Sequence, residues 1–424
     1  MRKERKKSYV MLVIIPIILL SVIAYMCINY YEKEKKAKEY QTKINEIKEK
    51  FNDNVLTRIK TVLYTKNDNI YVESGKVNEN IYLILNKEKS DYNNGYFMIE
   101  NLSNELEKSY FIYYKDIEKI ENELEYSQRY KNYVPYNKTI VTNDIFSLYD
   151  EDDKFIYELN SKKELPVIVN NDNFYGVEFN NQLLYIKNKD IKEIKNQVNT
   201  EGKNTTGIAV LNYHFVYNEN VDLCNQIICH TEAQFSSHLE YIKNNNIFTP
   251  TLKELEMYID GKIQLPKSVV ITIDDGWHSL EAATLLNKYK LNGTVFLITS
   301  GYDKNSIESE FVEVHSHTHN MHNAGDCPSG QGGGIQCLSE EFIQEDLKKS
   351  REKLNNTTYF SYPFYEYNDY SISQLKKAGF TMAFAGYYAN GKLKASPGID
   401  KFQIPRYIIY NTTTVEKLKN MIGW

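Results

Sequence analysis

No CxxC pair occurs in this chain, although it carries five cysteines. Without that spacing, Cys224, Cys229, Cys327 and Cys337 do not read as a structural zinc site. Cys27 sits in an apolar run, so four cysteines remain, an even number that points to disulfides in an oxidising compartment. Neighbours are the expected pairs, Cys224 with Cys229 and Cys327 with Cys337. An excess of charge of one sign is also missing. The 51 Lys and Arg against 56 Asp and Glu leave a net −5, mixed along the chain, which argues against nucleic acid as a partner. Residues 8–31 lack any charge and lack an Ala-x-Ala cleavage site, and they follow the basic stretch MRKERKK. That combination predicts an uncleaved transmembrane anchor rather than a signal peptide. The chain is then a single-pass protein of the cell membrane with its C-terminal domain outside. Finally, the glycine-rich stretch at 329–334 lacks the Lys-Ser/Thr of a phosphate loop and lies between two cysteines. It reads as a flexible loop bounded by a disulfide.

What is present divides the 424 residues into parts. Residues 32–60 are rich in Lys and Glu with Ile44, Ile47 and Phe51 at helical spacing, which predicts a solvated helical stalk. From 61 to 196 short alternating runs separated by Asn, Asp, Gly and Lys predict small β-rich modules. Many of the chain's 36 tyrosines fall in such alternating runs, suiting a wet β surface or sugar stacking. The stretch starting at Phe111 echoes the one starting at Leu184, which suggests a repeated unit of SH3-like type. Such units would bind wall polymer or act as spacers. A polar linker at 197–206 leads into regular alternation. Strands are expected near 208–213, 269–273, 294–298, 311–314, 358–361, 381–385 and 401–405. Helices are expected at 231–243, 251–259, 279–289, 339–354 and 371–377, the first two opening with capping boxes. Alternation over some 200 residues predicts an α/β fold, a deformed parallel (β/α) barrel, with its active groups at the C-terminal ends of the strands.

Two stretches carry the chemistry. In SVVITIDDGWHS, starting at Ser268, a doubly buried strand stops at Asp274 and Asp275. Paired acids there cost desolvation unless a cation or buried partners compensate them. A plain Asp-Gly turn is the simpler alternative. The second stretch, VHSHTHNMH from Val314, holds four of the eight histidines. Carboxylate and imidazole at strand ends are metal-ligand chemistry.

With these stretches in place, residues 207–424 resemble the polysaccharide deacetylases, the NodB-type carbohydrate esterases of family 4. The likeness is nearest to the branch that deacetylates poly-N-acetylglucosamine and related wall sugars. It rests on Thr-Ile-Asp-Asp-Gly at 272–276, Ser-His-Thr-His-Asn-Met-His at 316–322, Tyr-Pro-Phe at 362–364 and Leu-Asn-Tyr-His at 211–214. The resemblance implies one divalent ion, zinc or else cobalt, nickel or manganese, held by Asp275, His317 and His322. It implies Asp274 as general base, the Phe364 N–H at the oxyanion and His214 as general acid. The commoner family spacing would instead select His315 and His319 as ligands. Arg406 is the candidate to orient Asp274, or else a packing ion pair. Tyr365 stands where the family usually has glycine, and no carboxylate partner for His214 is evident. His230 and His238 are expected to be exposed, and His278 to approach the cleft. The expected protein is a membrane-anchored, metal-dependent deacetylase of N-acetylated polysaccharide or cell-wall glycan. The alternatives are a peptidoglycan or O-acetyl polysaccharide deacetylase, or an inactive wall-binding protein.

Overall fold

The computed structural model describes residues 2–49, 55–58, 61–102, 109–121, 128–171, 174–196 and 204–423. Two compact units result. The first comprises Met1–Ser127, Val141–Glu164 and Phe179–Glu193; the second comprises Gln128–Ile140, Leu165–Glu178 and Ile194–Trp424. The expected boundary at 197–206 is therefore not the only crossing, since two earlier segments belong to the second unit. Residues 197–203 of that linker lie outside the described residues.

The first unit begins with one helix, Arg2–Glu49. Among the described residues no helix is long and apolar enough to cross a membrane, although the side chains of residues 2–18 lie outside that set. The expected stalk is shorter and less solvated than its Lys and Glu content suggests. Its helix stops at Glu49, Val55–Arg58 is a strand, and Ile44 and Ile47 are buried. Tyr40 donates its hydroxyl to the Tyr92 carbonyl at 2.7 Å, which fastens the helix to this unit. Phe51 lies outside the described residues.

The two expected SH3-like units do not form separate sheets. The strands of the β region form one antiparallel ladder from Gln182–Lys187 to Ile117–Glu121. The join is Phe155–Leu159 against Ile70–Val77, which pairs backbone groups that an isolated module would leave at an open edge. The echo in the sequence does have a local counterpart. Tyr110–Tyr113, a 3₁₀ turn and Ile117–Glu121 match Gln182–Lys187, a 3₁₀ turn and Ile191–Asn196.

In the second unit the parallel strands are β1 (Ala209–Tyr213), β2 (Val269–Ile273), β3 (Gly293–Leu297), β4 (Val312–Ser316), β5 (Tyr359–Ser361), β6 (Met382–Phe384) and β7 (Tyr407–Ile408). They lie in the order β6-β5-β4-β3-β2-β1-β7. This is a curled parallel sheet rather than a complete barrel of ladders. Residues 401–405, expected as a strand, are irregular. That segment still bonds to the β6 edge, with the Ala385 N–H on the Ile404 carbonyl at 2.8 Å, and Ile409 then bonds to Asn212 of β1 at 2.9 Å. Arg406 is the turning point between the two edges, and its side chain is fully buried.

Strands β1, β2 and β3 are buried at every position because helices cover them, as a nearly continuous apolar run requires. The helices α1 (Glu232–Asn244) and α2 (Leu252–Ile259) both open on the expected capping boxes, Thr231 with Gln234 and Thr251 with Glu254. They are followed by α3 (Ser279–Tyr289), α4 (Glu340–Lys353), α5 (Asp369–Lys377) and α6 (Val415–Ile422). Leu211, Tyr213, Phe235, Leu239, Ile271, Ile273, Leu286 and Leu418 form the heart of the core between sheet and helices. Glu254 of α2 also takes Arg129 (Nε to Oε1, 2.6 Å) and the Tyr133 hydroxyl at 2.6 Å, which explains why residues 128–140 belong to this unit.

Candidate active site

The chain leaves β2 through two residues of opposite fate. Asp274 is 1 % exposed, and Arg406 grips it from below, Nη1 to Oδ1 and Nη2 to Oδ2, each at 2.8 Å. Arg406 is itself anchored by its Nε on the Ala385 carbonyl at 2.9 Å. The Ser361 hydroxyl at the end of β5 donates to Asp274 Oδ2 at 3.0 Å. Burial pushes the Asp274 carboxyl up, but the guanidinium outweighs it and holds the group ionised, well below the usual carboxylate range.

Asp275 faces the other way, with φ at 80°. Thr318 (φ 77°), in the loop after β4, and Phe364 (57°) and Tyr365 (64°), in the loop after β5, share that left-handed conformation. Each non-glycine residue held there costs roughly 1–3 kcal/mol, and such strain is typically tolerated where function requires it.

His317 and His322 reach Asp275 from the loop after β4. The Nε2 atoms of His317 and His322 stand 3.3 and 3.4 Å from Asp275 Oδ1, and the three donor atoms all lie within 4.8 Å of one another. Ligands about 2.1 Å from a tetrahedral ion would be about 3.4 Å apart, so the donor set fits a divalent cation. The second contact of His317 agrees. Its Nδ1 lies 2.8 Å from the Ser361 carbonyl, which accepts an N–H there and leaves Nε2 as the nitrogen that faces Asp275. Burial and the neighbouring His317 push His322 down to about 4, so it is neutral, as a ligand must be. Burial opposes charge on His317 too, but Asp274 and Asp275 prevail and raise it.

The rival pair lies elsewhere. His315 Nδ1 sits 2.7 Å from the Thr357 hydroxyl, and its Nε2 faces Glu313 at 3.6 Å. His319 Nδ1 sits 3.0 Å from the Thr299 hydroxyl. What aims the loop is Asp346 of α4, whose two oxygens accept the N–H groups of His319 and Asn320 at 2.8 and 2.7 Å.

His214, just past β1, is 9 % exposed, and burial pushes it down. Its Nε2 meets the Tyr365 hydroxyl at 3.2 Å, and that hydroxyl donates to Asn212 Oδ1 at 2.7 Å. Phe364 is the second residue of the 3₁₀ turn Pro363–Tyr365, where the first N–H groups have no partner within the turn. Its ring covers His322 at 4.5 Å.

The remaining expectations resolve as follows: three histidines and the glycine-rich loop differ, and the disulfides agree. His230 and His238 are buried, not exposed. His238 bridges the Tyr213 hydroxyl and the Thr413 carbonyl at 3.0 Å each, because its face of α1 packs on β1. His278 does not enter the cleft: it is held between Asp222 (2.9 Å) and Glu281 (3.1 Å). Both neighbouring disulfides, Cys224–Cys229 and Cys327–Cys337, are present. The glycine-rich loop between the latter is pinned rather than free, with the Gly333 N–H and Gln336 Nε2 each 2.9 Å from Glu366 Oε2.

Ser361, Tyr365, Asn212 and Asp346 are the contributors that sequence reasoning did not assign. Ser361 and Tyr365 flank the Tyr-Pro-Phe motif, so proximity was their signal. Asp346 had none, being one acid among many on an exposed-looking helix.

Comparison with known proteins places this geometry. Residues 262–383 match the family model described as polysaccharide deacetylase. The Bacillus subtilis (strain 168) protein named "Putative polysaccharide deacetylase YxkH" is 25% identical over 199 residues, covering 42% of this chain and 69% of the relative. Among solved structures, IcaB from Ammonifex degensii has 23% identity and a TM-score of 0.44, covering 52% of this chain and 98% of its own. A de-N-acetylase from Aggregatibacter actinomycetemcomitans has 20% identity and a TM-score of 0.41, covering 50% and 99%. With TM-scores below 0.5, neither likeness bears on the assignment. The family match spans β2 to β6 and includes both carboxylates, the histidine loop and the Tyr-Pro-Phe turn. The second unit of this chain carries a polysaccharide deacetylase domain of the NodB type.

Proposed function

We propose that the protein is a metal-dependent N-deacetylase of an extracellular or wall amino-sugar polymer, anchored to the cell membrane through residues 8–31. One observation carries the reading: Asp275, His317 and His322 converge on one point while Asp274, beside them, stays ionised on Arg406. A divalent ion on the first three groups supplies Lewis-acid polarisation of the acetyl carbonyl and a more acidic water. Zinc suits the two imidazoles and one carboxylate, with cobalt, nickel or manganese as further occupants.

The chain's own groups do the rest. Asp274 accepts the proton of the attacking water. Arg406 and Ser361 fix the direction in which that carboxylate faces and keep it charged. The Phe364 N–H donates to the oxygen that gains charge as the carbonyl becomes tetrahedral. His214 supplies the proton that the departing sugar nitrogen needs.

The full chain is expected to release acetate from N-acetylglucosamine oligomers, to lose that activity to a chelator and to regain it with a divalent ion. Release untouched by chelation would remove the metal from the reaction; no release from the oligomers would remove the N-deacetylase reading. In the same preparation His322→Ala should lose bound metal and His315→Ala should keep it. The opposite result would assign the site to His315 and His319.

The anchor rests on the uncharged run after five basic residues. Removing residues 1–31 should shift the protein from the membrane pellet to the supernatant. Equal sedimentation of both forms would refute the anchor.

A further inference from the structure

His214 has no nitrogen free to meet a substrate directly. Its Nδ1 is buried without a hydrogen-bond partner, and its Nε2 is occupied by the Tyr365 hydroxyl at 3.2 Å. The imidazole is packed edge-on against the Tyr365 ring, 6.2 Å between centroids. Tyr365 in turn lies over the Arg406 guanidinium, 5.4 Å from ring centroid to carbon, and so stands beside the Asp274 carboxylate that Arg406 holds. Its hydroxyl thus meets His214 while its ring lies on the guanidinium that holds Asp274. Its backbone adds a second sign of selection, since a tyrosine is held at φ 64° directly after Phe364 at 57°. Left-handed backbone is costly for an aromatic residue, and Asn212 spends a fully buried side chain on the hydroxyl it presents.

We propose that Tyr365 is a further catalytic residue of this site: its hydroxyl delivers to the leaving sugar nitrogen the proton that His214 supplies from behind. The inference rests on the deacetylase reading above. The step balances as follows. Asp274 takes one proton from the attacking water. When the C–N bond of the tetrahedral intermediate breaks, its electron pair stays on nitrogen. The nitrogen takes the Tyr365 hydroxyl proton as that O–H turns from Asn212, and the Tyr365 oxygen takes the Nε2 proton of the His214 imidazolium. His214 becomes that imidazolium before the bond breaks, by receiving through solvent the proton that Asp274 took, so His214 ends neutral and Asp274 ionised, as both began. A short acceptor bridge to Asn212 is what such a donor needs at rest, because it fixes the oxygen without consuming the lone pair that faces His214.

The test separates proton delivery from packing on Arg406. Acetate release from N-acetylglucosamine oligomers needs a protonated leaving group, whereas 4-nitrophenyl acetate expels a stable phenolate that needs none. In the full chain, Tyr365→Phe keeps the ring and removes only the hydroxyl. The ratio of amide to ester turnover is expected to fall on the order of 10²-fold or more, carried by kcat rather than KM. Combining Tyr365→Phe with His214→Gln should lower amide turnover no further than the worse single change, since both act in one relay. A ratio within about threefold of wild type, or losses that multiply in the double variant, overturns the proposal. A wild-type protein that releases no acetate from the oligomers points instead to failure of the deacetylase reading itself.

Discussion

Asp274→Asn is expected to lower acetate release by about 10²–10⁴-fold, the usual worth of a positioned general base. The reason is local. Asp274 is nearly inaccessible, its Oδ2 accepts from Arg406 and Ser361, and its Oδ1 accepts from Arg406 Nη1. A carboxylate offers about four acceptor sites, so it retains room for one more proton. Asn keeps the size but presents an N–H₂ to the guanidinium, so it cannot take the water's proton and also meets Arg406 donor to donor. Bound metal should be nearly unchanged, because Asp275, His317 and His322 are the three that converge. Turnover and metal content measured on the same sample decide it. A variant that keeps a tenth or more of wild-type turnover would move the base elsewhere.

Arg406→Ala should cost about 3–5 kcal/mol of stability, the typical penalty for removing one partner of a buried ion pair. The site gives no route for relief. Arg406 is 0 % exposed, and Asp274, left without its fork, would be a buried charge that keeps the Ser361 hydroxyl but no guanidinium. The same residue fastens the segment that follows β6, with its backbone N–H on the Gly386 carbonyl at 3.1 Å and its side-chain Nε on the Ala385 carbonyl. Urea unfolding at neutral pH measures the effect, and a loss under about 1 kcal/mol would mean that water reaches Asp274. The pH dependence has a definite sign. The folded Asp274 carboxyl is depressed below its unfolded value of about 3.9. Its contribution is therefore complete above that value and is lost as pH falls toward the folded one. Wild type should lose this share of stability in acid, and Arg406→Ala should lack that slope.

The sequence by itself determined the local elements and the identity of the reactive groups. The run at 269–273 could only be a strand covered on both faces, and Thr231 and Thr251 marked helix starts, because apolar continuity and capping chemistry act within a few residues. The acids of 274–275, the histidine loop and the Tyr-Pro-Phe turn were legible as motifs for the same reason. Which histidines meet Asp275 was legible only through the family resemblance, which named His317 and His322, since His315, His317, His319 and His322 are alike in a one-dimensional pattern. Only the direction of each side chain after β4, set by Asp346 gripping the loop and Ser361 receiving His317, separates them. The burial of His230 and His238 and the contact between His214 and Tyr365 likewise depend on partners distant in the chain. So does the merging of the β region into one ladder: pairing Phe155–Leu159 with Ile70–Val77 closes an edge, and periodicity shows that an edge exists but not what pairs with it. Short-range preference writes elements and motifs into a sequence, whereas proximity between remote residues is a property of the folded chain.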